Sequence, residues 1–263
     1  MHPHDPTQRQ PTDISVVCAS ARLQPYRFIH KALRALLLQT LQTAGILDVE
    51  DLIQRQQLVT EVDRTLTLCE GHIAHENGFL HEPLRARSLR ATRAFDNDHW
   101  DHLASIESLR LLLQRVRDAQ PHDNAPGLAY ELYLRLSQFI GESLAHMAEE
   151  ESALTRILWS QFSDAELRGF IHALESTFSD EEKAFYLAWM ARALSAPELA
   201  QVLQAPGAAT PPEVFARQMA TLKQALPASR WSELVARLDG LSAQGQAPAH
   251  PPPNPARHRP TAS

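Results

Sequence analysis

At two places in this chain of 263 residues, a histidine is followed four residues later by a glutamate. His72 is followed by Glu76, and His146 is followed by Glu150. On an α-helix this spacing puts both side chains on one face, about 5–6 Å apart at Cβ. An imidazole and a carboxylate placed in this way can converge on a first-row metal ion such as iron, manganese or zinc. Calcium is disfavoured, because imidazole is a poor ligand for a hard cation.

Histidines also lie on the apolar stripes of two further segments with helical periodicity. One segment carries His30, and the other carries His99 and His102. A single buried histidine is usually structural, but burying several histidines and glutamates without a metal ion would leave costly polar groups to satisfy. Because the feature recurs on four predicted inward faces, the pattern favours a metal site. The candidate ligands are His30, His72, Glu76, His99, His102, His146 and Glu150.

Two of the segments that must position these residues lie early in the chain. The first covers about residues 25–44, and Gly45 is predicted to stop its helix. The second covers about residues 49–79, and Pro83 is predicted to end it, because proline cannot continue a helix.

The other two segments follow after a short link. The third is predicted to begin near Asp96, where this residue, Asn97 or Asp98 can cap the helix. The fourth covers about residues 127–161. Long helices joined by short links predict an all-α fold, with an antiparallel up-down four-helix bundle over residues 21–162.

The remaining segments are predicted to lie outside this bundle. Residues 1–20 are polar and predicted to form a flexible arm. Residues 163–241 contain several helix starts, with serine or threonine ahead of acidic residues or proline, and are predicted to form accessory helices packed on the bundle. Residues 242–263 are rich in proline and are predicted to form a disordered tail.

Composition limits the classes of function. Hydrophobic residues make up 44% and charged residues 21%, as in an ordinary globular protein. A net charge of −6 without a basic face argues against nucleic acid as a partner. No apolar run reaches the roughly 20 residues of a membrane span, so no membrane partner is expected. Two cysteines are too few for a disulfide framework, and the polar N-terminal residues lack a signal sequence, so a cytoplasmic location is expected.

Four stretches in order make residues 25–162 resemble the hemerythrin-like, HHE cation-binding domain family, and the helices beyond resemble it more weakly. The stretches are RFIHKALR, CEGHIAHENGFLH, DNDHWDHLASIESL and LAHMAEEESAL. The resemblance implies a four-helix bundle with a non-haem di-iron centre, bridged by oxo and carboxylate groups and held by about five histidines. It also implies O2, NO or peroxide as the small ligand, and a role in binding, sensing, or oxidative or nitrosative stress.

The resemblance assigns ligands helix by helix. In the first helix the family histidine matches His30. In the second helix the family motif, a histidine four residues before a glutamate, matches His72 and Glu76. The chain lacks the N-terminal cysteine pair of the iron-repair members, which counts against that subgroup.

The last two helices leave alternatives open. In the third helix the family ligands match His99 or His102, which are three residues apart, whereas the oxygen carriers space theirs by four. In the fourth helix the histidine matches His146. Its acidic partner matches Glu150, four residues on, although the oxygen carriers place theirs five residues on, at Glu151.

Several neighbouring residues are predicted to take no part as ligands. His75 is predicted to lie beside the site or on the surface, and His81 on the surface near the helix end. Cys69 is predicted to be a small core residue. Three tyrosines that core packing explains by default could also supply a phenol near the site: Tyr26, Tyr130 and Tyr133.

The leading hypothesis is therefore a di-iron binding or sensing module, and whether it is also an enzyme is left open. The alternative is a metal-free all-α interaction or regulatory protein, whose later helices and proline-rich tail recruit an unnamed partner. A ferritin-like oxidase or hydrolase is a third class. It is disfavoured because that class uses glutamate three residues before histidine, and the order here is the reverse.

Overall fold

The computed structural model describes residues 14–120, 122–203 and 211–245. In these ranges every regular element is helical and no strand occurs, so the prediction of an all-α protein is confirmed. The chain divides into two compact units, Met1–Leu194 and Ser195–Ser263. None of the helices in the described ranges is both long enough and apolar enough to cross a membrane.

The described residues of the first unit form nine α-helices and two π-helical turns. The helices are α1 (Ile14–Ala19), α2 (Arg27–Ile46), α3 (Leu52–Glu76), α4 (Glu82–Arg87), α5 (Arg93–Asp118), α6 (Ala125–Glu149), α7 (Thr155–Gln161), α8 (Asp164–Glu175) and α9 (Asp180–Ala193). The first π-turn, Asn77–His81, joins α3 to α4, and the second, Glu150–Leu154, joins α6 to α7.

Four long helices contact one another in a closed ring. Helix α2 contacts α3 and α6, and helix α5 contacts the same two helices. Their apolar stripes meet in one core, with Leu37, Leu58, Ile106, Leu132 and Leu136 all at most 1% exposed. Burial of these stripes, at about 25 cal/mol per Å² of apolar surface, is the main stabilising contribution. Helix α9 lies against α2.

Helix α2 continues past the predicted stop. It ends at Ile46, where Leu47 turns to an extended backbone with ψ of 136°. Gly45 does not adopt a positive φ, so the prediction that it stops the helix is wrong. Its lack of a side chain instead allows a close approach, because a Cβ atom there would lie 3.2 Å from Cε2 of Tyr133.

The prediction that Pro83 ends the second helical segment is also wrong. Helix α3 begins after Asp51, whose carboxylate accepts hydrogen bonds from the backbone N–H groups of Ile53 and Gln54. Helical backbone then continues through the first π-turn and α4 as far as Arg87. Pro83 lies in the first turn of α4, where the missing N–H costs least.

Helix α5 starts earlier than predicted. It begins at Arg93 after Thr92, so Asp96, Asn97 and Asp98 lie inside the helix rather than at its cap. The Thr92 hydroxyl donates a hydrogen bond to Oδ2 of Asp96 at 2.7 Å. Asp96 therefore keeps its other oxygen for a partner outside α5.

The fourth segment agrees more closely with the prediction. Helix α6 begins at Ala125, and Asn124 caps it by accepting a hydrogen bond from the backbone N–H of Gly127. The helical backbone then runs through the second π-turn and α7 to Gln161, the predicted end.

The regions outside the four long helices divide differently from the predicted domains. Of the predicted arm, Ile14–Ala19 forms α1, with Val17 only 4% exposed, and residues 1–13 lie outside the described residues. Helices α8 and α9 belong to the first unit, and each begins with a capping box in which serine and glutamate satisfy each other's backbone N–H groups. Most of the predicted tail, residues 246–263, also lies outside the described residues.

The second unit has its own small core. Its described helices are α10 (Ala196–Leu203), α11 (Pro212–Ala225) and α12 (Ala228–Gly245). Helix α12 contacts both α10 and α11. Leu199, Leu222 and Leu234 are at most 1% exposed and supply the buried apolar surface.

Candidate metal centre

Seven histidine and glutamate side chains converge inside the ring of α2, α3, α5 and α6. They come from these four helices and from both π-turns: His30, His72, Glu76, His81, His99, His146 and Glu150. Three of them, His30, His81 and Glu150, are fully buried. His72 is the most open of the seven, with 14% of its side chain exposed.

One half of the cluster is built on α2 and α3. Nε2 of His30 lies 3.2 Å from Nε2 of His72 and 3.2 Å from Oε1 of Glu76. Nε2 of His72 lies 3.0 Å from the same carboxylate oxygen. These three residues each offer one ligand atom within 4.8 Å of the others, which is close enough for them to hold one metal ion.

The other half is built on α5, α6 and the π-turns. Nε2 of His99 and of His146 lie 3.5 and 3.2 Å from Oε1 of Glu150. Nε2 of His81 lies 3.9 Å from that oxygen. Ligand atoms of Glu76, His99, His146 and Glu150 all lie within 4.8 Å of one another, so this half can hold a metal ion as well.

Both glutamates face the two halves at once. Oε1 of Glu76 lies near His30 and His72, and its Oε2 lies 3.5 Å from Nε2 of His99. Glu150 is turned the same way, with Oε2 3.5 Å from Nε2 of His30 and Oε1 beside His99 and His146. A carboxylate that presents one oxygen to each of two nitrogen clusters can bridge two metal ions.

Two of the imidazoles donate hydrogen bonds to acidic residues that lie outside the cluster. Nδ1 of His30 donates a hydrogen bond to Oε1 of Glu151 at 3.1 Å, and Arg34 donates to the same oxygen. Nδ1 of His81 donates to Oδ1 of Asp96 at 3.0 Å. The other oxygen of Asp96, Oδ2, accepts the hydrogen bond from Thr92, so Oδ1 is available to His81.

Two more imidazoles are held in the same way. Nδ1 of His99 donates to Oδ1 of Asn77 at 2.9 Å, and Nδ1 of His146 donates to Oδ2 of Asp98 at 3.3 Å. Once the imidazole is neutral, a hydrogen bond donated by Nδ1 leaves the lone pair on Nε2, as in histidine metal sites. All four of these histidines therefore direct a coordinating nitrogen toward the two glutamates.

The inward atoms lack other partners. Among the described residues, the buried side-chain atoms without a hydrogen bond include Oε2 of Glu76, Nε2 of His81, His99 and His146, and both carboxylate oxygens of Glu150. Buried polar atoms are nearly always paired, and an unpaired one costs about 1–3 kcal/mol. Since the unpaired atoms are nitrogen and carboxylate donors that face one another, the residues fit metal ions.

The charges of the cluster are strongly coupled. Burial raises the pKa of Glu150, as does the charge of Glu76, but the imidazoles of His146 and His99 close to its carboxylate bring it down to about 2. Burial lowers the pKa of His30, but hydrogen bonds to Glu151 and Glu76 raise it to about 9. The cluster therefore binds positive charge strongly, whether that charge comes from protons or from metal ions.

Six of the seven predicted ligands are brought together, and His102 is not. The His102 ring meets the His146 ring edge-on at 5.0 Å and packs against Phe139 at 5.9 Å. Burial and the charges of His146 and His99 lower the pKa of His102 to about 4. His102 lies almost one turn beyond His99 on α5, so it reaches the level of Phe139 rather than that of the glutamates.

His81 is the residue that the sequence reasoning missed. It was expected on the surface, but it is fully buried and its ring stacks on that of His99 at 4.9 Å. In a regular α-helix, a residue five positions after Glu76 would point about 140° away. The first π-turn adds one residue to the turn and returns His81 to the inward face. A 3.6-residue period could not reveal this.

The neighbouring residues take structural positions. The His75 ring packs against Phe178 of α9 at 4.9 Å. Burial raises the pKa of the Cys69 thiol to about 12, so it stays protonated in the core. Tyr130 and Tyr133 stack on each other at 6.4 Å, and Tyr26 alone of the three tyrosines stacks on a candidate ligand.

The side chains thus form two nitrogen clusters that share two carboxylates, an arrangement suited to a pair of metal ions. The chain matches no family model, no curated protein and no solved structure.

Proposed function

We propose that the first unit is a hemerythrin-like, antiparallel up-down four-helix bundle that binds a non-haem di-iron centre. The closed ring of α2, α3, α5 and α6 supports the bundle. The main support for a pair of metal ions is the orientation of Glu76 and Glu150. In each of these glutamates, one carboxylate oxygen faces the first group of histidines and the other oxygen faces the second group. The outer hydrogen bonds at Nδ1 add to it, because they leave Nε2 of these histidines directed toward the two glutamates.

The ligands divide unequally between the two ions. His30 and His72 would hold one ion, and His81, His99 and His146 would hold the other. Glu76 and Glu150 would bridge them. Five histidines and two carboxylates match the number that the family resemblance implies, with His81 in the place that the sequence left to His102.

Iron is favoured by the donor set and by the resemblance. Imidazole and carboxylate donors suit iron, manganese and zinc, and no cysteine lies among the seven residues. A bridged pair of ions with mixed nitrogen and oxygen ligands is the type of centre that helical bundles hold for iron. Manganese and zinc are distinguished by metal analysis.

The centre would bind a small molecule such as O2, NO or peroxide. The iron pair would supply reversible redox chemistry and a coordination position for that molecule. His30 and His72 give their ion fewer protein ligands than the other ion has, and His72 is the one partly exposed member of the cluster. Binding and sensing under oxidative or nitrosative stress, in the cytoplasm, is the function that we infer.

Metal analysis of protein purified without a metal-binding tag tests this function. We expect about two iron atoms per chain and near-ultraviolet absorption from an oxo bridge. His146→Ala should lower the iron content. His122→Ala is the matched control, because the His122 side chain is 83% exposed and the residue lies in the loop between α5 and α6. A folded protein that binds no metal stoichiometrically would overturn the proposal and favour the interaction or regulatory alternative.

A further inference from the structure

Tyr26 brings a phenol hydroxyl to the candidate metal centre. Its ring stacks on that of His30, with the centroids 5.1 Å apart and the planes 24° from parallel. The residue is only 1% exposed, and its hydroxyl has no hydrogen-bond partner among the described residues. A buried tyrosine hydroxyl usually has one.

Most of the surroundings of Tyr26 cannot accept a hydrogen bond. It packs in an apolar cluster with Leu80, Leu84, Phe95, Leu154, Leu158, Phe162 and Leu167. The polar groups that act on it are those of the centre: after burial, the charges of Glu150 and Glu76 raise the pKa of Tyr26 well above its usual value. A tyrosine hydroxyl has one hydrogen to donate, and no acceptor for it lies within hydrogen-bond distance among the described residues.

Tyr26 also differs from the other unpaired atoms of the first unit. In the part of that unit that the structure describes, every other buried side-chain atom without a partner belongs to a candidate metal ligand: Glu76, His81, His99, His146 or Glu150. Metal ions would satisfy those atoms. They would not satisfy a neutral hydroxyl, which needs an acceptor.

We infer that Tyr26, which is buried, stacked on His30 and has an unpaired hydroxyl, donates a hydrogen bond to a small ligand held at the centre. The inference rests on the proposed function. It adds a physical reason why the centre would prefer some small ligands over others. Small ligands that carry negative charge when bound are favoured over neutral ones, because a hydrogen bond to a charged acceptor is about twice as strong as one between neutral groups.

Tyr26→Phe removes the hydroxyl and keeps the stacked ring. We expect the iron-loaded variant to hold as much iron as the wild type and to bind azide about 10–100-fold more weakly, which is the loss that one hydrogen bond to a charged group predicts. Tyr130→Phe is the control, because Tyr130 is 63% exposed and should leave azide affinity unchanged.

A vibrational measurement tests the same bond independently of azide affinity, and its first arm needs only the wild-type protein. The stretching frequency of bound azide should shift when H2O is replaced by D2O, and the shift should be absent in Tyr26→Phe. The wild-type shift can still be measured if the variant fails to fold.

Three outcomes are distinguishable. A wild-type protein without bound metal overturns the proposed function itself. Full iron content in Tyr26→Phe with unchanged azide affinity and no deuterium shift in the wild type overturns the role of Tyr26 alone. Visible phenolate-to-iron absorption in the wild type, lost together with iron in the variant, would show that Tyr26 coordinates the metal and would also overturn the donor role.

Discussion

Glu150 and Glu151 are neighbours in the chain, yet they act on opposite sides of the same imidazole. Oε2 of Glu150 lies 3.5 Å from Nε2 of His30, whereas Oε1 of Glu151 accepts a hydrogen bond from its Nδ1 at 3.1 Å. Glu150 is fully buried, and the Glu151 side chain is 32% exposed and paired with Arg34. The Glu150 carboxylate is thus available to a metal ion, and the Glu151 carboxylate orients the imidazole of a candidate ligand.

Replacing these two glutamates should separate the two roles. Glu150→Gln removes a bridging carboxylate, so we expect metal content to fall from about two ions per chain to about one or fewer. Glu151→Gln should keep the content but weaken metal affinity by about 10–100-fold, the usual effect of losing an outer partner. Competition with a chelator measures both quantities. The reverse pattern would assign the bridge to Glu151.

His81 and His102 give a second matched pair. Both are buried histidines, but Nε2 of His81 faces Glu150, whereas the His102 ring packs on Phe139. We expect His81→Ala to lose at least one metal ion per chain and His102→Ala to retain both. Metal analysis of the two purified variants decides between them. Loss of metal in His102→Ala alone would restore the ligand that the sequence suggested.

Metal binding should depend on pH. Burial lowers the pKa of His30, His99 and His146, but the neighbouring carboxylates outweigh it and raise the pKa of His30 and of His99 to about 9, and that of His146 to about 10. These imidazoles are protonated at neutral pH in the metal-free protein and must lose their protons to bind metal. Metal affinity should therefore rise with pH up to about 9–10, with roughly three protons released per chain at pH 7. Titration with a pH indicator measures the release, and its absence contradicts the prediction.

The metal-free protein should be most stable in mildly acidic solution. A histidine with a raised pKa stabilises the fold below its unfolded value of 6.5, and the effect is lost as pH rises through about 9–10. Glu150, with its pKa lowered to about 2, stabilises above 4.5, and its effect is lost as pH falls toward 2. Burial lowers the pKa of His102 to about 4, so this residue destabilises the fold as pH falls below 6.5. Thermal unfolding from pH 3 to 10 should therefore show a maximum at about pH 6–6.5. A maximum above pH 9 would be inconsistent with these paired charges.

Removing metal should destabilise the first unit. A ligand present at a hundred times its dissociation constant stabilises the folded state by about 2.7 kcal/mol. For a domain of this size that corresponds to a loss of about 5–10 °C in Tm when a chelator is added. Calorimetry of the wild type and of His146→Ala checks this, since the variant should respond little to the chelator. An equal response in both would place the stabilising metal elsewhere.

The sequence by itself determined that the protein is helical and which faces of the long helices are buried. It also predicted six of the seven residues that converge in the candidate centre, because histidine and glutamate repeat on those faces with helical spacing. His72 with Glu76 and His146 with Glu150 needed only the local geometry of one helix, which a 3.6-residue period describes.

Only the tertiary structure decided the rest. A π-turn, which places His81 inward and breaks the 3.6-residue period, has no local signal in the residues Asn77–His81. The outer partners also come from separate elements, as Asp96 does for His81 and Asp98 does for His146. Such pairs join residues that are 15 and 48 positions apart, and only the packing of one helix against another brings them within a hydrogen bond.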